Sequence, residues 1–397
     1  MLKHKYLLKT ILILLLTVAY NSYAQVSPEI QLAARGVMSV NIDANTNQTT
    51  SAINDFSDSG ILLGFRQKLY SDFRGQFVFG MQFPDANSNL GQIFFHQTFL
   101  QIEDRTNILK LGRSRVASSL IEFPTLRDDD AIYFTDVLNP YSSGVNSEDN
   151  QYGNVFEYSH VFGQRYWLRL HGEHYTKTPV PPETTENDFS LNAIGLWFMY
   201  RVPQTQLWNR PILQQIGIGF NSFLTDRKDY TSEIDKMLKN VSLSAIVNLV
   251  RDPVYFVDLR SQFIYNVGFD EINHVTDNMT MTRAASISNF TSLRYLYRKL
   301  ERPTLQIALS FGYKNFPDLE NISNQYQLIL NSFYSVGFNF DIGLQVQYSK
   351  NRGDMATLFG ESVTRFQFAL VYSISEVWNN QFDDRQSLLN LEHGYIP

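Results

Sequence analysis

The chain contains no cysteine, so a disulfide framework, a thiolate metal site and a cysteine nucleophile are all unavailable to it. It has almost no long apolar runs. Beyond residues 11–19, no stretch approaches the ~18 residues expected of a helical membrane span. Charge is sparse at 18% of residues, and the formal net charge of −6 argues against nucleic acid as a partner. Aromatic residues are abundant, with 30 Phe and 22 Tyr among 397 residues, yet mean hydropathy is only −0.22. Strands with one apolar and one polar side average to such a value.

The N-terminus has an export pattern. Lys3, Lys5 and Lys9 precede an apolar run from Ile11 to Ala19, and Ser22-Tyr23-Ala24 has the small-x-small form of a cleavage site. Residues 1–24 are therefore expected to be a signal peptide outside the fold. Its removal takes away three lysines and no acid, which makes the remaining chain more acidic.

The dominant pattern in the rest has a period of two. Leu305, Ile307, Leu309, Phe311 and Tyr313 alternate with Gln306, Ala308, Ser310, Gly312 and Lys314. A helix would need spacings of three and four, so this segment is a strand with one apolar face. The pattern recurs: Tyr166, Leu168 and Leu170 oppose Arg169, His171 and Glu173, and Ile342, Leu344, Val346 and Tyr348 oppose Gly343, Gln345, Gln347 and Ser349. Such runs number about sixteen, from 30–42 to 363–373, and are about ten residues long, enough for a tilted strand to cross an outer membrane.

The links between them alternate in length. Short ones, such as Arg251-Asp252-Pro253, fall between strands 2–3, 6–7 and 10–11, while long polar ones at 43–58, 176–187, 224–238, 268–282 and 351–362 fall on the other side. This is the asymmetry of an all-β transmembrane antiparallel barrel, whose closure satisfies every backbone group in lipid. A soluble sandwich or propeller is the alternative, but no fixed repeat appears and the apolar faces are rich in Leu, Ile and Phe. The barrel is expected over 25–373, followed by a polar periplasmic tail at 374–397.

One link breaks the rhythm. From Ser114 to Tyr152 there is no sustained alternation, and a connection of that length in a compact fold is usually functional or disordered. Around it, Ser59-Gly60-Ile61-Leu62-Leu63-Gly64-Phe65-Arg66, Phe73-Arg74-Gly75-Gln76-Phe77-Val78-Phe79 and Leu109-Lys110-Leu111-Gly112-Arg113 resemble the strands that lead to the third loop of the general bacterial outer-membrane porins. Asn154 to Tyr158 resembles the strand that resumes behind it. The resemblance spans about residues 58–160 in motif and the whole chain in architecture. It implies a third loop folded into the lumen, a homotrimer, and a setting of outer-membrane lipid and lipopolysaccharide.

With the apolar faces on lipid, alternate positions line a lumen. The expected pore wall includes Arg35, Arg66, Lys68, Arg169, Arg260, Arg294 and Arg365, and by resemblance Arg113, whose position beside Leu109 and Leu111 requires a bulge or strand end for it to aim inward. Acids are fewer there. The third loop carries Glu122, Asp128, Asp129, Asp130 and Asp136, the expected constriction loop, and acids folded across a basic wall would set a transverse field at the narrowest point. The three consecutive aspartates could instead form a solvated tip or a calcium site. No metal site is expected elsewhere, and no cofactor.

Catalysis finds little support. The histidines, His171 and His160 among them, accompany no serine-nucleophile motif, HExxH or metal-ligand spacing. The expectation is a water-filled channel for passive diffusion of small hydrophilic solutes and ions. A substrate-selective uptake channel is the nearest alternative, and an outer-membrane enzyme or surface adhesin a more distant one.

Overall fold

Each alternating segment forms a strand, and the strands follow one another around a single antiparallel sheet in chain order. They are β1 (Glu29–Asp43), β2 (Gly60–Tyr70), β3 (Phe73–Gln82), β4 (Phe94–Glu103), β5 (Asn107–Arg115), β6 (Tyr152–Phe162), β7 (Tyr166–His174) and β8 (Ala193–Arg201). The second half comprises β9 (Leu213–Leu224), β10 (Met237–Arg251), β11 (Tyr255–His274), β12 (Thr280–Lys299), β13 (Arg302–Phe316), β14 (Ser323–Gly337), β15 (Phe340–Arg352) and β16 (Ser362–Trp378). The structure, a computed structural model, describes residues 28–43, 60–70, 73–82, 94–104, 106–115, 121, 123, 152–163, 165–174, 193–202, 211–224, 237–252, 254–274, 280–299, 302–317, 323–337, 339–353, 356 and 361–378.

The sheet closes on itself. β1 pairs with β2 on one side, from Glu29↔Arg66 to Arg35↔Gly60, and with β16 on the other, from Ile30↔Trp378 to Asp43↔Arg365. Closure leaves no strand edge to hydrogen-bond elsewhere, the condition for a sheet to stand in lipid.

The two faces of the wall differ as the alternation requires. Leu309, Phe311, Leu330 and Leu344 point outward and are about half exposed, while Ser310, Gln345 and Gln347 point inward and are buried. A large apolar surface open to the outside would be a liability in water, and in a bilayer it is the lipid-facing band. At the short-turn end the band is edged by aromatic rings. Phe162 stacks on Tyr166 at 5.6 Å, Tyr166 meets Tyr200 at 5.5 Å, Tyr255 meets Tyr295 at 6.4 Å and Phe340 meets Tyr372 at 4.6 Å. Such girdles sit at the level of lipid headgroups.

The short turns are locally specified. Asp104 accepts hydrogen bonds from the backbone N–H groups of Thr106 at 2.7 Å and Asn107 at 2.6 Å between β4 and β5. Asp252 does the same for Val254 at 2.8 Å between β10 and β11. Carboxylates at turn starts favour these closures because they satisfy donors that the ladder leaves unpaired.

Two boundaries differ from expectation. The polar link expected at 268–282 is mostly strand: β11 and β12 pair on to His274↔Thr280, past a register shift between Asn266 and Asp270. Outside the hydrocarbon no face has to be apolar, so the ladder continues where the period-two signal stops. The last strand likewise continues past residue 373 to Trp378, because β1 offers backbone partners as far as Ile30.

Candidate channel lumen

The inward faces converge on three groups of paired charges. On β1, β2 and β4, the Arg66 guanidinium lies 3.1 Å from Glu103 and 3.9 Å from Glu29, and all three side chains are buried. Gln31 donates to Glu29, and Gln101 donates to Glu103 at 2.8 Å. Two carboxylates face this one arginine, and Arg74 of β3 stands opposite Glu103 in the register.

The second group spans β5, β6 and β7. Arg169 Nε lies 3.4 Å from Glu157 Oε1, and its guanidinium sits over the Trp197 ring at 5.3 Å. Lys110 lies over the Phe99 ring at 4.5 Å, and its β5 position pairs with Glu157 on β6. His171 meets the edge of Trp197 at 5.4 Å. Aromatic faces beside cations offset part of the cost of covering the charges.

The third group lies on β11, β12 and β13. Asp258 is completely buried and accepts from Arg260 Nε at 3.3 Å and Arg294 Nε at 3.2 Å, with a further short contact from Arg294 Nη2. Arg294 also donates to Gln306 at 3.4 Å, and the Phe256 ring receives Arg294 at 5.2 Å and Arg298 at 5.4 Å. This patch is net positive. Across the described inward positions, basic groups outnumber acids, so the wall leans basic while the chain is acidic.

Two residues of the third loop are described, Ile121 and Phe123, and Phe123 stands inside the barrel. Phe123 meets Phe290 of β12 edge-on, with centroids 4.7 Å apart at 82°, and packs on the cluster of Phe290 and Ile329. Phe290 and Ile329 are buried on the inner wall, several strands around the barrel from β5, where the loop begins. Ile121 is also buried. The contact is apolar, so at this point the loop is held by burial of ring surface.

The residues expected from sequence divide as follows. Arg66, Arg169 and Arg260 are buried on the inner wall, and Arg294 and Arg365 are partly buried there. Lys68 shares the face of Arg66 but is exposed near the short turn. Arg35 pairs through its backbone with Gly60 of β2 and Ser373 of β16. Arg113 departs from expectation: its register partners are Thr98 and Asn154, which puts it in the outward row with Leu111 and Phe156, and it is exposed. No register shift interrupts these pairings, so nothing turns it inward. Glu122, Asp128, Asp129, Asp130 and Asp136 lie outside the described residues. Lys110, Glu157, Glu29 and Glu103 were legible as inward positions, but their clustering depends on which strands are neighbours.

Gly112, between Lys110 and Arg113, has a structural duty. Its φ is +127°, and a Cβ there would lie 2.8 Å from the Phe99 Cα and closer still to the Thr98 carbonyl oxygen. Only glycine lets β4 and β5 approach this closely while Phe99 occupies the inner face.

Among the described residues, no group of three or more His, Asp or Glu side chains could hold a metal ion. The architecture is that of a transmembrane β-barrel with a loop folded into a charged lumen, the porin fold. No protein-family model matches the chain, and no curated protein matches it in sequence. Solved structures match in shape. Salmonella typhi OmpF in complex with daunomycin gives a TM-score of 0.60 at 11% identity, over 87% of this chain and 97% of that one. An anion-selective porin from Comamonas acidovorans gives 0.56 at 12% identity, over 87% and 98%. OmpT of Vibrio cholerae in its trimer form gives 0.56 at 7% identity, over 88% and 100%. At these identities the likeness is one of fold.

Proposed function

We propose that the protein is a porin of the outer membrane that lets small hydrophilic solutes and ions diffuse passively through its lumen. The observation that carries this is Phe123 docked on Phe290 and Ile329, which supports a narrowing of the barrel by its own third loop. Mixed charges on the wall suit hydrated polar solutes, which exchange water for fixed dipoles and charges at low cost. In this function the carboxylates of Asp128, Asp129 and Asp130 face the basic wall as a constriction, residues 1–24 are an export signal and residues after the barrel form a periplasmic tail. Three copies assemble, as in the trimer form of the similar fold. The protein has no catalytic role.

Reconstitution tests it. Purified protein in liposomes should admit sugars at rates that fall with solute size, and in planar bilayers should give stepwise KCl conductance. Liposomes that stay closed to every solute would falsify the channel function and leave a structural or adhesive barrel.

A further inference from the structure

The charged clusters occupy only part of the lumen. On β14 the inward positions Gln325, Gln327, Ile329 and Asn331 carry no charge, and on β15 Gln345, Gln347, Ser349 and Asn351 continue the neutral wall. The amides are coupled in places: Asn331 Nδ2 donates to Gln345 at 3.3 Å, and Gln345 Nε2 donates to Gln367 of β16 at 3.2 Å.

Several amide atoms here are buried without a hydrogen-bond partner among the described residues. They are Gln325 Nε2, Gln327 Oε1, Gln347 Oε1 and Asn331 Oδ1, with both side-chain polar atoms of Gln262 on β11. These side chains are at most 2% exposed. Gln262 and Gln327 fall in one register row, on either side of Phe290 and Gly312, so the unpaired groups run beside the site where Phe123 docks. Buried polar groups left unpaired are costly, and a line of them calls for a solvent or solute that can both donate and accept.

We propose that this carboxamide wall is a path for uncharged, polyhydroxylated solutes of the saccharide class. A hydroxyl donates and accepts, so it can satisfy either end of a carboxamide whichever way the amide is turned. Strands about 4.8 Å apart set these groups at the scale of a sugar ring. These β14 and β15 positions offer an ion of either sign no counter-charge of their own, the flanking cations being Lys314 opposite Gln325 and Arg365 opposite Gln347, so an ion loses hydration along them. The proposal rests on the passive-channel function above and names its preferred solute.

The test compares a neutral hexose with a uronic acid and an amino sugar of similar size by liposome swelling, alongside single-channel conductance in KCl. Wild-type protein should admit the neutral sugar faster than both charged ones. The Gln327→Met/Gln347→Met/Asn331→Leu variant should lose about fivefold of the neutral rate, the scale of one or two hydrogen bonds, with KCl conductance unchanged. If that variant does not fold, Gln347→Met alone, which gives up a hydrogen bond from Nε2 to Ser349 at 3.5 Å, should still lower the neutral rate. Normal KCl conductance with equal rates for all three sugars, or a neutral rate unmoved by the substitutions, overturns the carboxamide path alone. Absence of KCl conductance in wild-type protein overturns the channel function and this path with it.

Discussion

Phe123 of the third loop stands edge-on against Phe290 of β12, with ring centroids 4.7 Å apart, and thereby ties a loop that leaves β5 to a wall several strands away. The tie is hydrophobic although the loop is rich in acids. Edge-to-face aromatic pairs contribute about 1 kcal/mol beyond the area they bury, enough to favour one loop position without making the barrel depend on it.

Phe123→Ala should therefore loosen the constriction and leave the barrel folded. Single-channel recordings should show a larger or noisier open level, while resistance to heat in detergent changes little. An unchanged open level would mean that other parts of the loop hold it.

Arg66 lies within salt-bridge distance of both Glu29 and Glu103, so Arg66→Gln should take a charge partner from two covered carboxylates at once. Removing one partner of a buried pair costs about 3–5 kcal/mol, less where lumen water reaches the charges. Urea titration should show a lower unfolding midpoint, and the pore should shift toward cations.

Asp258→Asn acts in the opposite sense. It removes the carboxylate held between Arg260 and Arg294, so the β11–β12 patch gains net positive charge. The reversal potential in a KCl gradient should move toward chloride, by about a twofold change in permeability ratio. In the same assay, Asp128→Asn/Asp129→Asn/Asp130→Asn should also favour anions, and no change would show that those carboxylates stand away from the permeation path.

Gly112→Ala should be among the most damaging small substitutions in the barrel. A methyl group would have to fit against Phe99 and the Thr98 carbonyl at a positive φ. Strain of that kind costs about 1–3 kcal/mol before any clash is counted. The variant should assemble poorly, as read from the yield of heat-resistant barrel in detergent, whereas Gly36→Ala, with nothing within 4 Å of the added methyl, should not.

Asp104 supplies a pH dependence outside the membrane-spanning strands. Burial tends to raise its carboxyl, but the N–H groups of Thr106 and Asn107 and the Asn107 amide outweigh this and hold it below the ordinary value. A carboxyl with a depressed folded pKa stabilises above its unfolded value, about 3.9, and loses that contribution as pH falls through the lower folded value. Asp104→Ala should thus lower the urea midpoint slightly at pH 7, and the difference from wild type should shrink below about pH 4. A constant difference down to pH 2 would show that the carboxylate charge is not what matters.

Sixteen alternating runs, their inward and outward faces and the short-long rhythm of links were all legible in the sequence, because a strand in lipid must be apolar on one side along its whole membrane-spanning length. Where that requirement ends, so did the legibility: the outer parts of β11 and β12 pair without an apolar face, and β16 outruns its alternating core. Arg113 shows a different limit. A motif likeness suggested the pore wall, while strict alternation with Leu109 and Leu111 already pointed outward, as the register confirms.

By itself, the chain determined what each strand shows to lipid and to the lumen, since both follow from residue order at a period of two. Only the tertiary structure decided which inward groups meet: that Asp258 lies between Arg260 and Arg294, that Glu29 shares Arg66 with Glu103, and that Phe123 reaches Phe290. Those contacts depend on register between strands and on a chord across the barrel. Both are set by closure of the whole sheet, which no single segment encodes.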